Sequence, residues 1–177
     1  MLSQRLPIAT ELGVNDQAII HALSKFQGVD RRFQILGEQC FERGRALIVD
    51  DYGHHPQEII STIDAFRGVW PNKRLIHVFQ PHRYSRTQAL FSQFVNALSL
   101  ADELLLLDIY AAGETAIPGL NSEALLKEIN QRQPHARLTT AQSLRQALDE
   151  LVTENDVILM QGAGNIGQLA FNLMQSK

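Results

Sequence analysis

Four short stretches of this chain concentrate side chains that can do chemistry. Asp50-Asp51-Tyr52-Gly53-His54-His55-Pro56 offers two carboxylates, a phenol and two imidazoles. Gln80-Pro81-His82-Arg83-Tyr84-Ser85-Arg86 carries an imidazole and two guanidinium groups. Asp108-Ile109-Tyr110-Ala111-Ala112-Gly113-Glu114 mixes acids with small residues, and Gln161-Gly162-Ala163-Gly164-Asn165 is a glycine-rich turn. The second stretch says most. Arg83 and Arg86 stand three apart, which places them on one face if they open a helix. A helix N-terminus is already positive, so two guanidinium groups there add no stability. They suit an anion gripped by paired hydrogen bonds. A solvated basic turn is the alternative.

The other stretches are open to plainer readings. Asp50, and less readily Asp51, can cap the helix that follows, with Pro56 as ordinary helix-start punctuation. His54 and His55 can form a turn with one ring packed inward. With Glu58 they suggest a metal site, but adjacent histidines at a helix start diverge and no further ligand cluster stands out, so no metal is expected. Gly162 to Gly167 matches G-x-G-x-x-G, a dinucleotide fingerprint when a strand and an acidic residue follow at the right distance. Only ten residues come after Gly167. The glycines therefore read as a tight turn whose backbone approaches a substrate closely. G-x-x-x-x-G-K-[ST] does not occur, so the chain has no phosphate-binding loop of that kind.

The elements that must position these loops are legible from periodicity. Short apolar runs at Ala46–Val49, Leu75–Phe79, Leu104–Leu107 and Val157–Met160, and a weaker one at Arg137–Thr140, read as strands. Between them lie helical faces: Ile59, Ile60, Ile63 and Phe66; Leu90, Phe91, Phe94, Val95 and Leu98; Leu125, Leu126 and Ile129; and Leu144, Ala147, Leu148 and Leu151. Apolar strands alternating with amphipathic helices predict an α/β fold, a doubly wound and mostly parallel sheet. Ligands of such sheets bind beyond the carboxyl ends of the strands, where the four stretches fall. Residues 1–45 differ. Asn15 is an N-cap for a helix bearing Ile19, Ile20, Leu23 and Phe26, with Gly28 past its end; a short strand Arg32–Leu36 follows, with Gly37 and Gly44 as turn formers. So little structure cannot bury a core, so this segment reads as the tail of another domain.

Composition narrows the class. At 45% hydrophobic and 20% charged, the chain is an ordinary globular one. Its net charge of −3 gives no reason to expect nucleic acid or an anionic membrane as a partner. No apolar run is long enough to span a bilayer, and the N-terminus lacks the pattern of a secretory signal. With Cys40 as its one cysteine the chain can form no internal disulfide, and a cytoplasmic location is expected.

The first, second and fourth stretches, the second extended to Phe79 and Thr87 and the fourth to Gly167, resemble the C-terminal domain of the Mur ligases. Phe26-Gln27-Gly28-Val29-Asp30-Arg31-Arg32-Phe33 is similar to the end of that family's central ATPase domain, so the resemblance runs over essentially the whole chain. It implies a Rossmann-like C-terminal ligase domain at 46–177 that binds the amino acid, preceded at 1–45 by the tail of the central ATP-binding domain. It implies ATP and Mg²⁺, with the magnesium ligands mostly outside this chain. UDP-N-acetylmuramate and L-alanine are the implied partners, joined through an acyl phosphate in peptidoglycan synthesis. The missing N-terminal and central domains are partners too, and without them the chain is expected to be inert. Position by position, Asp51 resembles the residue holding the ATP ribose, Tyr52 the neighbour of the adenine, and Arg32 the arginine reaching the phosphates. His54, His82, Arg83 and Arg86 resemble the amino-acid site, with Gly164 and Asn165 on its far wall. No residue is assigned as a base, because solvent can deprotonate a free amine. Three alternatives stay open: the related ligase that recycles a whole tripeptide (Tyr52-Gly53 favours alanine), a dinucleotide-binding oxidoreductase, and a non-catalytic interaction module.

Overall fold

The computed structural model describes residues 7–25, 29–132 and 135–175. Two helices come first, α1 (Pro7–Glu11) and α2 (Asp16–Lys25). Asn15 caps α2 as its sequence predicts, its side-chain oxygen accepting from the Gln17 N–H at 2.8 Å. No side chain of α2 is buried, and Ile20 and Leu23 are exposed. Phe26 and Gly28 lie outside the described residues.

Six strands form one sheet: β1 (Gln34–Phe41), β2 (Gly44–Asp51), β3 (Arg74–Phe79), β4 (Glu103–Leu106), β5 (Ala136–Leu138) and β6 (Asp156–Gln161), in the order β1-β2-β6-β3-β4-β5. β1 is antiparallel to β2 and all other pairs are parallel. The helices α3 (Pro56–Val69), α4 (Tyr84–Ala89), α5 (Phe91–Leu98), α6 (Ser122–Asn130), α7 (Leu144–Leu151) and α8 (Ile166–Gln175) complete the chain.

Successive strand residues feed opposite faces. Val49, Leu75, Phe79, Leu104, Leu106, Val157 and Leu159 pack under α3, α5 and α6. Ile48, Ile76, Val78, Leu105, Ile158 and Met160 pack under α7 and α8. The sheet is doubly wound, as the alternating pattern predicts.

Three local expectations need correction. The early strand runs Gln34–Phe41 rather than Arg32–Leu36, because it pairs along the whole of β2. Gly37 is no turn; it sits within β1 at φ +133°, where the register shifts in a bulge. The run from Leu90 to Leu98 is not one uninterrupted helical segment, since Leu90 leaves helical geometry at φ −115°, ψ 20° and separates α4 from α5.

Candidate functional site

The carboxyl ends of β2, β3, β4 and β6 lie side by side, so the loops that follow meet at one edge. His54 and His82, from different loops, face each other with ring centroids 5.7 Å apart. Tyr52 meets His54 edge-on at 5.3 Å. On the other side, Tyr110 stacks on His82 at 5.6 Å and 13° between planes. Beyond it lies Gly164, whose added Cβ would stand 2.8 Å from the Tyr110 ring.

His55, not Asp50 or Asp51, caps α3: its ring accepts from the Gln57 N–H, and Glu58 reaches back to the N–H groups of His54 and His55 at 2.9 and 3.1 Å. Burial pulls the Glu58 pKa up, but those two backbone bonds and the nearby His54 and Arg32 outweigh it and leave the pKa below the usual value. His54 Nδ1 lies 3.1 Å from the Tyr52 carbonyl, a bond that needs a proton on Nδ1, so the neutral form of the ring keeps Nε2 as an acceptor.

Arg83 is not in the first turn of a helix. It precedes α4 at φ +74°, with its N–H donating to the Tyr110 carbonyl at 2.8 Å and its own carbonyl accepting from Thr87. The shared face inferred from their spacing therefore does not exist in that form. The two arginines still flank one loop. The exposed Arg83 guanidinium has no hydrogen bond or ion pair among the described residues. Arg86 Nη1 donates to His82 Nδ1 at 3.2 Å and to the His82 carbonyl at 3.3 Å. Accepting at Nδ1 makes His82 a neutral ring with its proton on Nε2. Its pKa is lowered in keeping, by burial first and then by Arg86, His54 and Arg83. When His54 is neutral, the pair offers an acceptor on His54 and a donor on His82.

Behind this surface lies a buried polar layer. The Asp51 carboxylate accepts from the Gly53 N–H (2.8 Å), the Phe33 N–H (2.9 Å), Gln161 Nε2 (2.8 Å) and the Thr62 hydroxyl (3.3 Å). It ties the Tyr52 loop and the segment entering β1 to the sheet. Asp50, on the opposite face, pairs with Arg31 at 3.1 Å; burial raises its pKa and Arg31 opposes that. Arg31 also donates to the Gly162 carbonyl at 2.6 Å and lies 5.1 Å over the Tyr52 ring. Arg32 stays largely exposed, 5.9 Å from the Tyr52 ring and 3.7 Å from Glu58. Gln80 donates to Asn165 Oδ1 at 2.8 Å, which anchors the glycine-rich turn to β3.

The glycines of that turn serve internal packing. Gly162 sits at φ +150° against the Gln80 carbonyl, and a Cβ at Gly167 would lie 2.6 Å from Arg31 Nε. Among the described residues no three His, Cys, Asp or Glu side chains gather as a metal would need. None of the described helices is long and apolar enough to cross a membrane.

Arg31, Gln80 and Tyr110 do not stand out as site residues in the sequence. Tyr110 has a signal, its place in the loop after a strand. Gln80 and Gln161 have one too, as polar residues ending apolar strands. Nothing distinguishes Arg31 from Arg32 before the fold is known.

The Mur ligase, glutamate ligase domain family matches residues 31–164, and the chain belongs to that family. Over 171 residues it is 67% identical to the UDP-N-acetylmuramate–L-alanine ligase of Legionella pneumophila (strain Lens), covering 97% of this chain and 36% of that protein. The chain thus spans about a third of the length of the curated relatives it matches. Among solved structures, the UDP-N-acetylmuramate-alanine ligase of Thermotoga maritima superposes with a TM-score of 0.75 at 26% identity, over 96% of this chain and 35% of that one. A murein peptide ligase of Psychrobacter arcticus shares the fold, with a TM-score of 0.67 at 20% identity over 94% of this chain and 34% of that one. Ligase membership removes the oxidoreductase reading of Gly162 to Gly167, whose glycines are accounted for by the close approach of Gln80, Tyr110 and Arg31 to the turn.

Proposed function

We propose that the chain is the amino-acid-binding, C-terminal part of a longer ATP-dependent ligase that joins L-alanine to UDP-N-acetylmuramate in peptidoglycan synthesis in the cytoplasm. The observation that carries the proposal is the meeting of His54 and His82 with Arg86 hydrogen-bonded to one of them. The identity to alanine ligases supports the choice of substrate over a tripeptide.

Arg83 and Arg86 would hold the α-carboxylate, Arg86 through the N–H groups that His82 does not engage. His54, accepting at Nε2 in its neutral form, would orient the incoming amine while leaving the amine lone pair free to attack, and His82 would line the pocket beside it. Gly164 and Asn165 would form the far wall, set in place by Gln80. For the nucleotide, Tyr52 offers an aromatic platform and Arg32 an exposed cation that can reach phosphate; Asp51, expected at the ribose, is buried with its carboxylate accepting from four internal donors, and would act instead by fixing the loop that presents Tyr52. When bound, ATP supplies the phosphoryl group that activates the acceptor carboxylate, with Mg²⁺ neutralising its charge. The metal ligands and phosphate loop would belong to the rest of the ligase, and the part of residues 1–45 before β1 would be the tail of its central domain. That placement accounts for the apolar side chains exposed on α2.

The test is ADP release by the full-length ligase with each substrate omitted in turn. Turnover that requires both L-alanine and UDP-N-acetylmuramate supports the reading, and turnover indifferent to L-alanine refutes it.

A further inference from the structure

Tyr110 has no part in the proposed grip on the amino acid, yet it occupies a constrained place. The strand-like pairing of its loop with the His82 loop fixes its backbone at both ends. The Tyr110 N–H donates to the Pro81 carbonyl at 2.8 Å, and the Tyr110 carbonyl accepts from the Arg83 N–H at 2.8 Å. The ring lies parallel to His82 and leans on Gly164, with 41% of the residue exposed toward solvent. A Cβ at Gly164 would approach both the Tyr110 ring (2.8 Å) and Tyr110 Cβ (3.0 Å). Position 164 therefore has no room for a side chain while Tyr110 stays where its backbone holds it.

We infer that Tyr110 sets the upper size limit for the side chain of the amino acid. The inference rests on the amino-acid site proposed for His54, His82, Arg83 and Arg86. With the carboxylate on the two arginines and the amine toward His54, a side chain directed away from His54 would run toward the exposed edge of the Tyr110 ring, whose faces rest on His82 and Gly164. A flat, backbone-anchored ring there leaves space for a methyl group and excludes branched or longer side chains. Against a hydrophobic wall one methylene changes discrimination by about ten- to two-hundredfold, and the fixed Tyr110 ring supplies such a wall on one side of the site.

The test uses the full-length ligase and compares kcat/KM for L-alanine, L-2-aminobutyrate and L-valine. Tyr110→Ala should raise the ratio of L-2-aminobutyrate or L-valine to L-alanine at least tenfold. Tyr110→Phe should keep the original ratio, because the ring and not the hydroxyl does the excluding. If Tyr110→Ala does not fold, Tyr110→Leu carries the same comparison with more of the packing retained. A Tyr110→Ala or Tyr110→Leu ligase with the ratio of the unaltered protein overturns the inference while leaving the amino-acid site intact. An unaltered ligase that does not use L-alanine overturns the site itself.

Discussion

His77 lies at the centre of β3, fully buried beneath α3, and neither ring nitrogen has a well-formed hydrogen bond. Its nearest polar company is the Gln161 side chain, whose Oε1 is also without a partner, and the Asp51 carboxylate. Burial drives its pKa down from 6.5 to about 4, with Gln161 and Asp51 opposing the shift. Above pH 6.5 the folded and unfolded chains both carry neutral His77 and the residue contributes no pH dependence. Below that, the unfolded chain takes up a proton that the folded chain refuses until about pH 4. Stability must therefore fall across this window as the pH falls. At about 1.4 kcal/mol per pKa unit, the whole window is worth about 3 kcal/mol.

His77→Leu removes this contribution and leaves every other titrating group in place. Urea unfolding of the 177-residue chain, followed by the fluorescence of Trp70, checks the point; Trp70 packs between Phe33 and Phe66 and reports on the core. The stability of the original chain relative to the variant should be constant from about pH 8 to 6.5 and then decline by about 3 kcal/mol toward pH 4. The His77 ring signals in NMR should not titrate above about pH 5. Parallel stability curves for the two proteins, or a His77 titration near 6.5, would refute the argument.

Other outcomes follow from the same geometry. The isolated chain should fold yet show no ATPase or ligase turnover, and calorimetry should find ATP binding no tighter than about millimolar, because the phosphate cradle is missing while the ligand must still be immobilised. Micromolar affinity would place the nucleotide elsewhere. Gly164→Ala pushes a methyl group into Tyr110 and Gln80, so its urea midpoint should drop by the equivalent of about 1–3 kcal/mol; an unchanged midpoint would mean that the turn yields freely.

Strands β2, β3, β4 and β6 were legible because they are short apolar runs covered on both faces, a pattern that the more exposed β1 and β5 do not produce. The order of the strands was not, since β6 inserts between β2 and β3 through pairings that leave no mark on local sequence. At the site, the loops were found because polar residues follow apolar strands, and His54 and His82 do meet. The roles inside each loop were harder. Spacing put Arg83 on a helix, whereas hydrogen bonds from a neighbouring loop hold it at positive φ. Likewise two adjacent aspartates look alike in sequence, but strand alternation sends Asp51 into the buried network and Asp50 to Arg31.

The central claim, that the edge built by His54, His82, Arg83 and Arg86 receives the amino acid, is tested most directly by steady-state kinetics of Arg83→Ala and Arg86→Ala in the full-length ligase, with L-alanine and ATP varied in turn. A charge-assisted hydrogen bond contributes about 1.5–3 kcal/mol, so each variant should raise the L-alanine KM about ten- to a hundredfold while the ATP KM changes little. Lysine at either position should restore little, because an ammonium cannot reproduce the planar two-point grip. An L-alanine KM unchanged in Arg83→Ala, or L-alanine and ATP KM values raised together, would contradict the account.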